Sequence, residues 1–424
     1  MFNKSISAAI AGYVRPDTGR NENSAAVERP DIHDPIETLL EVVATREIRY
    51  SVIHPRGYVL DRKNPAIRRA VSDRPLLVVV DQQVHRLYGS DLLAYLEHET
   101  NLVGYLSIDG SETAKSWGAV QRICDAAIEA QLPRNGIMLG VGGGVTLDIT
   151  GFAASIFRRG VDYVRIPTSL IGLIDVAVGI KHGINIGSRK SIVGTFYPAM
   201  LNINDPTFLA TLSQRHIACG IAEIIKMAVV RDEQFFTALE HHVGELLEQR
   251  FQNSSIATDV LIRSERLMMQ ELQSNLFESQ FRRLPDFGHT FSPAIEFASG
   301  WSINHGEAVG MDMLISAAIA AGKGLSSQMT FARLRNLLAA ARLPLTHEVC
   351  RAEVLMSGVE CARQHRAGNL NLVVPLEIGK ADFIQDVSLE DVQRALALIE
   401  GGWLENAGSV GRPWRDLSPS WTVA

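Results

Sequence analysis

From Leu76 to Asp81 the chain reads LLVVVD, an unbroken apolar run closed by a carboxylate. A strand covered by helices on both faces of a parallel sheet has this pattern, whereas a half-exposed strand would alternate. The segment YLEHETNLVGYLSID ends in a second strand-like run, and SWGAVQRICDAAIEAQ from Ser116 repeats at helical spacing. GIMLGVGGG, from Gly136, predicts a strand opening into a glycine-rich turn. DYVRIPTSLIGLID is a further strand-to-turn passage, and the alternating, β-branched stretch from Arg49 to Leu60 predicts another strand. Strand and helix therefore alternate through this half, the signature of a layered α/β domain. After Asp205 the pattern changes: FLATLSQRHIACGIAEIIKMAVV, FFTALEHHVGELLEQRF, IATDVLIRSERLMMQELQ and GMDMLISAAIAAG all read as helices. The expected organisation is a loose N-terminal extension over 1–35, an α/β domain over 36–204 and a mainly helical domain over 205–424, with a cleft between the last two.

Length and composition narrow the function classes. At 424 residues the chain exceeds one ordinary core, and 46% hydrophobic with 21% charged residues is the balance of a soluble globular enzyme. A net charge of -6 provides no general basic surface, so nucleic acid and anionic membrane are poor partners and any anion site must be local. Cys124, Cys219, Cys350 and Cys361 are scattered without a CxxC pair. That fits a reducing, cytoplasmic setting and cysteines used as small buried hydrophobes. The N-terminal MFNKSISAAIAGYV is too short an apolar run to span a membrane, and Arg15 to Asp34 is rich in Pro, Asn, Asp and Arg.

Candidate chemistry begins at the glycine turn. LGVGGGVTLDITGFAAS puts Gly142, Gly143 and Gly144 between a strand and a helix, where backbone N–H groups and a helix N-terminus can hold a pyrophosphate. A plain tight reversal needs the same glycines, so the turn alone leaves both readings open. Asp81 closes a buried strand where a carboxylate can accept from a ribose hydroxyl, while Glu112, Lys115, Thr168 and Ser169 follow other strands. Each alone serves equally as a cap or turn residue.

A second constellation lies in the helical half. Glu223 sits in the apolar GIAEIIKMAVV with Lys226 three residues on, on the same helix face. An i, i+3 ion pair is one reading; a metal or charged substrate is the other, because charges in apolar surroundings need a partner. His289 in DFGHTFSPAIEF and His305 in SINHGEAVGMDM each precede an apolar helix. One Glu and two His can form a catalytic zinc site that leaves a position open for substrate oxygens, although nothing in the spacing requires the three to converge.

Taken in order, GGGVTLDITGFAAS, the R-x-PTSL run from Arg165 to Lys181, G-x-AE-x-x-K, GHTFSPAIE and HGEAVGMDM resemble the dehydroquinate synthase-like sugar phosphate cyclases, over about residues 48 to 400. The resemblance implies a Rossmann-like NAD-binding domain, a helical metal- and substrate-binding domain, a bound NAD, a divalent ion (Zn2+ or Co2+) and a homodimer. It implies Glu223, His289 and His305 as metal ligands. It places NAD against Asp81, Glu112, Lys115, Gly143, Gly144, Asp148, Thr168, Ser169, Lys190, Phe208, Thr211 and Leu212. Substrate falls to Asp175, Lys181, Lys226, Arg282 and Asp286, with His365 near another contact, and Arg159 matches an arginine that reaches the phosphate from the neighbouring subunit.

Departures select a branch. Asp286 stands where dehydroquinate synthases carry asparagine, Pro293 where they carry a second histidine, and Met268 in the place of a substrate lysine. A substrate carboxylate beside Asp286 and Met268 would be repelled and poorly solvated. DFGHTFSP and ELQSNLFE are instead similar to sedoheptulose 7-phosphate cyclases, especially 2-epi-5-epi-valiolone synthases. That implies transient hydride transfer to NAD, phosphate elimination, return of the hydride and an intramolecular aldol closure. Ser191 replaces an asparagine that touches substrate in relatives, which leaves product stereochemistry open. The alternatives are synthases of 2-epi-valiolone or desmethyl-4-deoxygadusol, then dehydroquinate synthase, 2-deoxy-scyllo-inosose synthase or a polyol dehydrogenase of the same fold, and, outside catalysis, a silent NAD-binding scaffold.

Overall fold

The computed structural model describes residues 44–45, 47–187, 189–252 and 254–401. The expected N-terminal extension and residues 402–424 lie outside the described residues. The strands are β1 (Ser51–Ile53), β2 (Pro75–Asp81), β3 (Asn101–Ile108), β4 (Ile137–Gly142), β5 (Asp162–Pro167), β6 (Lys181–Ile186), β7 (Arg189–Phe196), β8 (Leu201–Ile203), β9 (Leu372–Glu377) and β10 (Lys380–Ile384). One six-stranded sheet runs β1-β8-β5-β4-β2-β3, and every neighbouring pair in it is parallel. β6 and β7 form a separate antiparallel pair, as do β9 and β10.

Around the sheet lie α1 (Ala66–Val71), α2 (Gln82–Glu99), α3 (Trp117–Glu129) and α4 (Gly144–Ile156). The LLVVVD run explains their placement. Leu76, Val78 and Val80 point into one apolar cluster with Ile67 of α1 and Leu92 and Leu96 of α2. Leu77 and Val79 point into another with Ile123 of α3 and Ile149 and Phe152 of α4. Period-two alternation across a sheet clad on both faces makes every position apolar.

The expected strand from Arg49 to Leu60 contracts to Ser51–Ile53, because β1 is an edge that pairs only with the three residues of β8 and Pro55 then lacks an N–H to continue a ladder. The helical expectation after Asp205 holds in α5 (Gln214–Arg231), α6 (Glu233–Gln249), α7 (Ser255–Ser274), α8 (Ser292–Ala298), α9 (His305–Gly322), α10 (Gln328–Ala340), α11 (Ala352–His365) and α12 (Leu389–Ile399), interrupted by the β9–β10 hairpin. α5 and α9 are the buried axis of this half: α5 is buried from Ile217 to Val230 and α9 from Ala308 to Ala320. Cys219 and Cys350 are buried as expected, but Cys124 is only partly buried and Cys361 is exposed on α11, so the small-hydrophobe reading fails for it. Among the described residues no helix is long and apolar enough to cross a membrane.

Candidate active site at the carboxyl edge of the sheet

The chain order reverses between β2 and β4: β2 leads outward to β3, and the next strand returns to β2's other side. A crevice opens at the carboxyl ends of such a pair, which is where open α/β sheets bind ligands. Asp81 closes β2 and caps α2, its Oδ1 accepting from Gln83 N at 2.7 Å and Val84 N at 3.1 Å, while Thr146 Oγ1 donates to Oδ2 at 3.4 Å. Gly142 ends β4, and Gly143 is the N-cap of α4 without any side-chain cap, so the first-turn N–H groups of α4 remain available. Space decides the residue type here: a Cβ on Gly142 would lie 2.8 Å from Thr146 Cβ, and one on Gly110 1.8 Å from Asp81 Oδ2.

The other expected cofactor positions line the same edge. Thr168 N donates to Gly142 O at 2.9 Å, and Ser169 Oγ accepts from Gly172 N at 3.2 Å. Glu112 accepts from Asn185 Nδ2 at 2.7 Å. Lys115 is buried, 2.6 Å from Asp148 Oδ2 and donating to Ser191 Oγ at 3.0 Å. Burial pushes the Asp148 carboxyl up, but Lys115 and His182 outweigh it and hold it at about 2. Phe208 is buried with its ring edge-on to those of Tyr58 and Tyr88, Thr211 Oγ1 lies 2.8 Å from Tyr88 OH, and Leu212 closes that turn. Lys190 goes elsewhere, to Glu296 Oε2 at 2.6 Å, beside the histidines described next.

Glu223 from the middle of α5, His289 from the loop before α8 and His305 from the first turn of α9 bring one ligand atom each to within 4.8 Å of one another. Glu223 Oε1 is 3.2 Å from His305 Nε2 and 3.7 Å from His289 Nε2. Ligand bonds near 2.0 Å in a tetrahedron set such separations at about 3.3 Å. Both Glu223 oxygens are buried without a well-formed hydrogen bond, although Lys226 Nζ lies 2.6 Å from Oε2. The donor set and these orphaned oxygens fit a divalent ion.

The local chain builds this convergence. Asn304 and Glu307 form a capping box that starts α9 at His305. Arg215 at the start of α5 grips Glu307 at 2.7 and 2.6 Å, pinning the two ligand-bearing helices together. His289 Nδ1 bonds Phe287 O at 3.1 Å and His305 Nδ1 bonds Glu296 Oε1 at 3.0 Å, so each ring turns Nε2 toward Glu223. Burial, with Lys226 adding to it, drives His289 down to about 3 and keeps it neutral. Burial and Lys190 act the same way on His305, but Glu296 and Glu223 overcome them and raise it to about 9. Burial would raise Glu223, yet Lys226 and the two histidines hold it well below the usual carboxylate range.

Cations gather around this cluster. Asp175 is pushed up by burial while Lys226 and Lys181 pull it back. Lys181 Nζ is 2.8 Å from Glu278 Oε1. Asp286 is paired to Arg283 at 3.2 Å and to Arg366 at 3.0 Å, which outweigh burial and lower it. Two expected contacts do not join in: Arg282 is 63% exposed and turned to Asp382 at 3.2 Å, and His365 is exposed at the end of α11. Their chain neighbours Arg283 and Arg366 are the ones turned inward. Arg159 is exposed and meets no partner among the described residues. Met268 is buried in the helical core and Pro293 opens α8. Glu296 joins the cluster through His305 and Lys190, and its one signal in the sequence is its place in GHTFSPAIE.

Comparison with known proteins places the chain among named relatives. Residues 105–219 match the family model 3-dehydroquinate synthase N-terminal and residues 220–361 the model 3-dehydroquinate synthase C-terminal. A 2-epi-5-epi-valiolone synthase of Streptomyces hygroscopicus subsp. jinggangensis is 40% identical over 369 residues, covering 84% of this chain and 89% of that protein. One from Streptomyces glaucescens is 43% identical over 337 residues, covering 79% and 86%. The solved structure of ValA, a 2-epi-5-epi-valiolone synthase with NAD+ and Zn2+ bound, superposes with a TM-score of 0.82 at 40% identity over 85% of this chain and 99% of that one.

Proposed function

This chain belongs to the 3-dehydroquinate synthase family, and from that premise we infer that it is a sugar phosphate cyclase acting on sedoheptulose 7-phosphate to give the C7 cyclitol 2-epi-5-epi-valiolone, with NAD and zinc as cofactors. One observation carries the reading: Glu223, His289 and His305 converge beside a pocket of paired cations, in a fold whose glycine turn leaves a helix N-terminus uncapped. When bound, NAD supplies reversible hydride acceptance and zinc supplies Lewis acidity. We assign Glu223, His289 and His305 to the metal and the Asp81, Gly143–Gly144, Lys115 and Thr168–Ser169 edge to NAD.

The remaining residues bind and orient. Lys226 and Lys181 are placed to neutralise oxyanion and phosphate charge, as preorganised cations do most effectively away from water. Asp175 and Asp286 orient substrate hydroxyls. Asp286 already holds the guanidinium groups of Arg283 and Arg366, so a substrate carboxylate would meet a carboxylate and no free cation there. This favours a carboxylate-free sugar phosphate. Phosphate leaves by carbon–oxygen elimination, which makes the enzyme a lyase, and we assign it as a cytoplasmic homodimer in which the partner's copy of Arg159 completes the phosphate site.

Incubation with sedoheptulose 7-phosphate, NAD and Zn2+ tests this. The expected result is one phosphate released per product, no net absorbance in the NADH band, and 2-epi-5-epi-valiolone by NMR. Accumulation of NADH in step with turnover, or turnover of the dehydroquinate precursor in place of the heptulose, would overturn it.

A further inference from the structure

Arg165 on β5 is fully buried, and among the described residues no carboxylate pairs with it. A guanidinium removed from water is costly unless its donors are met, so what meets them is informative. Nε donates to Asn202 Oδ1 at 2.5 Å, Nη1 to Val176 O at 2.6 Å, and Nη2 to Gly179 O at 2.9 Å and Ala177 O at 3.3 Å. Three of its four acceptors are carbonyls of one short segment. That segment begins as a π-turn over Gly172–Val176, a rare form found most often at functional sites. Other polar groups hold the same strip: buried Asn204 Nδ2 donates to Leu173 O at 3.0 Å and to Glu265 Oε1 at 2.8 Å, and half-buried Tyr50 OH donates to Val178 O at 2.8 Å.

What the strip presents lies on both sides. Asp175 interacts with the charges of Lys226, Glu223, Lys181 and His305. Val176 abuts the glycine turn so closely that a Cβ on Gly144 would sit 3.2 Å from its Cγ2. We propose that Arg165 is a positioning residue that fixes the 172–179 strip, holding Asp175 toward the metal cluster and Val176 against the cofactor turn. Arg165 is fully buried with its donors turned to Asn202 and the strip, so its effect on turnover runs through Asp175. This rests on the cyclase reading for its kinetics, and stands apart from it for its dynamics.

The test uses Arg165→Met, Tyr50→Phe, Asp175→Asn and the Arg165→Met/Asp175→Asn double variant. Displacing a reacting group by an ångström lowers kcat about 100-fold, so Arg165→Met is expected to lose about that much. KM is expected to stay within about threefold, since ground-state contacts persist. Tyr50→Phe, which removes one half-buried hydroxyl and leaves the fold intact, is expected to show the same effect in smaller measure. If Arg165 acts through Asp175, the double variant is no slower than the slower single by more than about threefold. Hydrogen exchange at the amides of Ala177, Val178 and Gly179 is expected to rise about tenfold more than in β2 and β4. A multiplicative double variant, or unchanged kcat with exchange raised evenly across the sheet, would overturn the proposal. If wild-type protein fails to turn over the heptulose, the cyclase reading falls while the exchange measurement still decides the role of Arg165.

Discussion

At the scale of single residues, the Glu223–His289–His305 cluster depends on the groups that orient its side chains. Glu296 accepts from His305 Nδ1 and pairs with Lys190, so it fixes which imidazole nitrogen faces Glu223. Glu296→Gln is expected to weaken zinc affinity about 10- to 100-fold, read by competition with a chromogenic chelator, with little change in folding. Asp148 gives a pH signature. Its folded value of about 2 lies below its ordinary 3.8, so its stabilising effect is complete above pH 3.8 and fades as pH falls toward 2. That loss is about 2 kcal/mol in urea titrations, and Asp148→Asn should lack it while costing about 3 kcal/mol at neutral pH by leaving Lys115 buried beside an amide. The convergence of Glu223, His289 and His305 was suggested in the sequence because those residue types announce chemistry. Arg282 and His365, expected from the resemblance, are exposed here while Arg283 and Arg366 pair with Asp286: in an irregular turn or at a helix end adjacent side chains face opposite ways, which a motif match does not convey.

At the scale of elements, ligand spacing is set where α5 and α9 cross. A Cβ on Gly306 would come 2.2 Å from Cys219 O and 2.3 Å from Cys219 Cα, and backbone cannot move aside as a side chain can. Gly306→Ala should therefore part the two helices, costing about 1–3 kcal/mol and lowering zinc occupancy, whereas Gly244→Ala on α6, with open space around it, should do neither. Thermal melts alongside metal analysis of both variants check this. The clad strand and the long helices were readable because period and apolar run length report burial directly. The π-turn was not: its five residues follow no hydrophobic period, and the buried Arg165 that sustains it lies on a different strand.

At the scale of the molecule, the Glu223–His289–His305 cluster lies within the family's C-terminal region, and the glycine turn lies within its N-terminal region. Ligand binding to the folded state adds about 2.7 kcal/mol at a hundredfold excess over Kd, so chelation should lower Tm by a few degrees without unfolding the chain. The reason lies in the Lys226–Glu223 pair, 2.6 Å apart and buried. An ammonium already sits against the Glu223 carboxylate, so that charge keeps a counter-ion whether or not a metal is present. The cluster is thus a socket that outlasts its occupant: dialysis should exchange zinc for cobalt in folded protein, with folding indifferent to the choice.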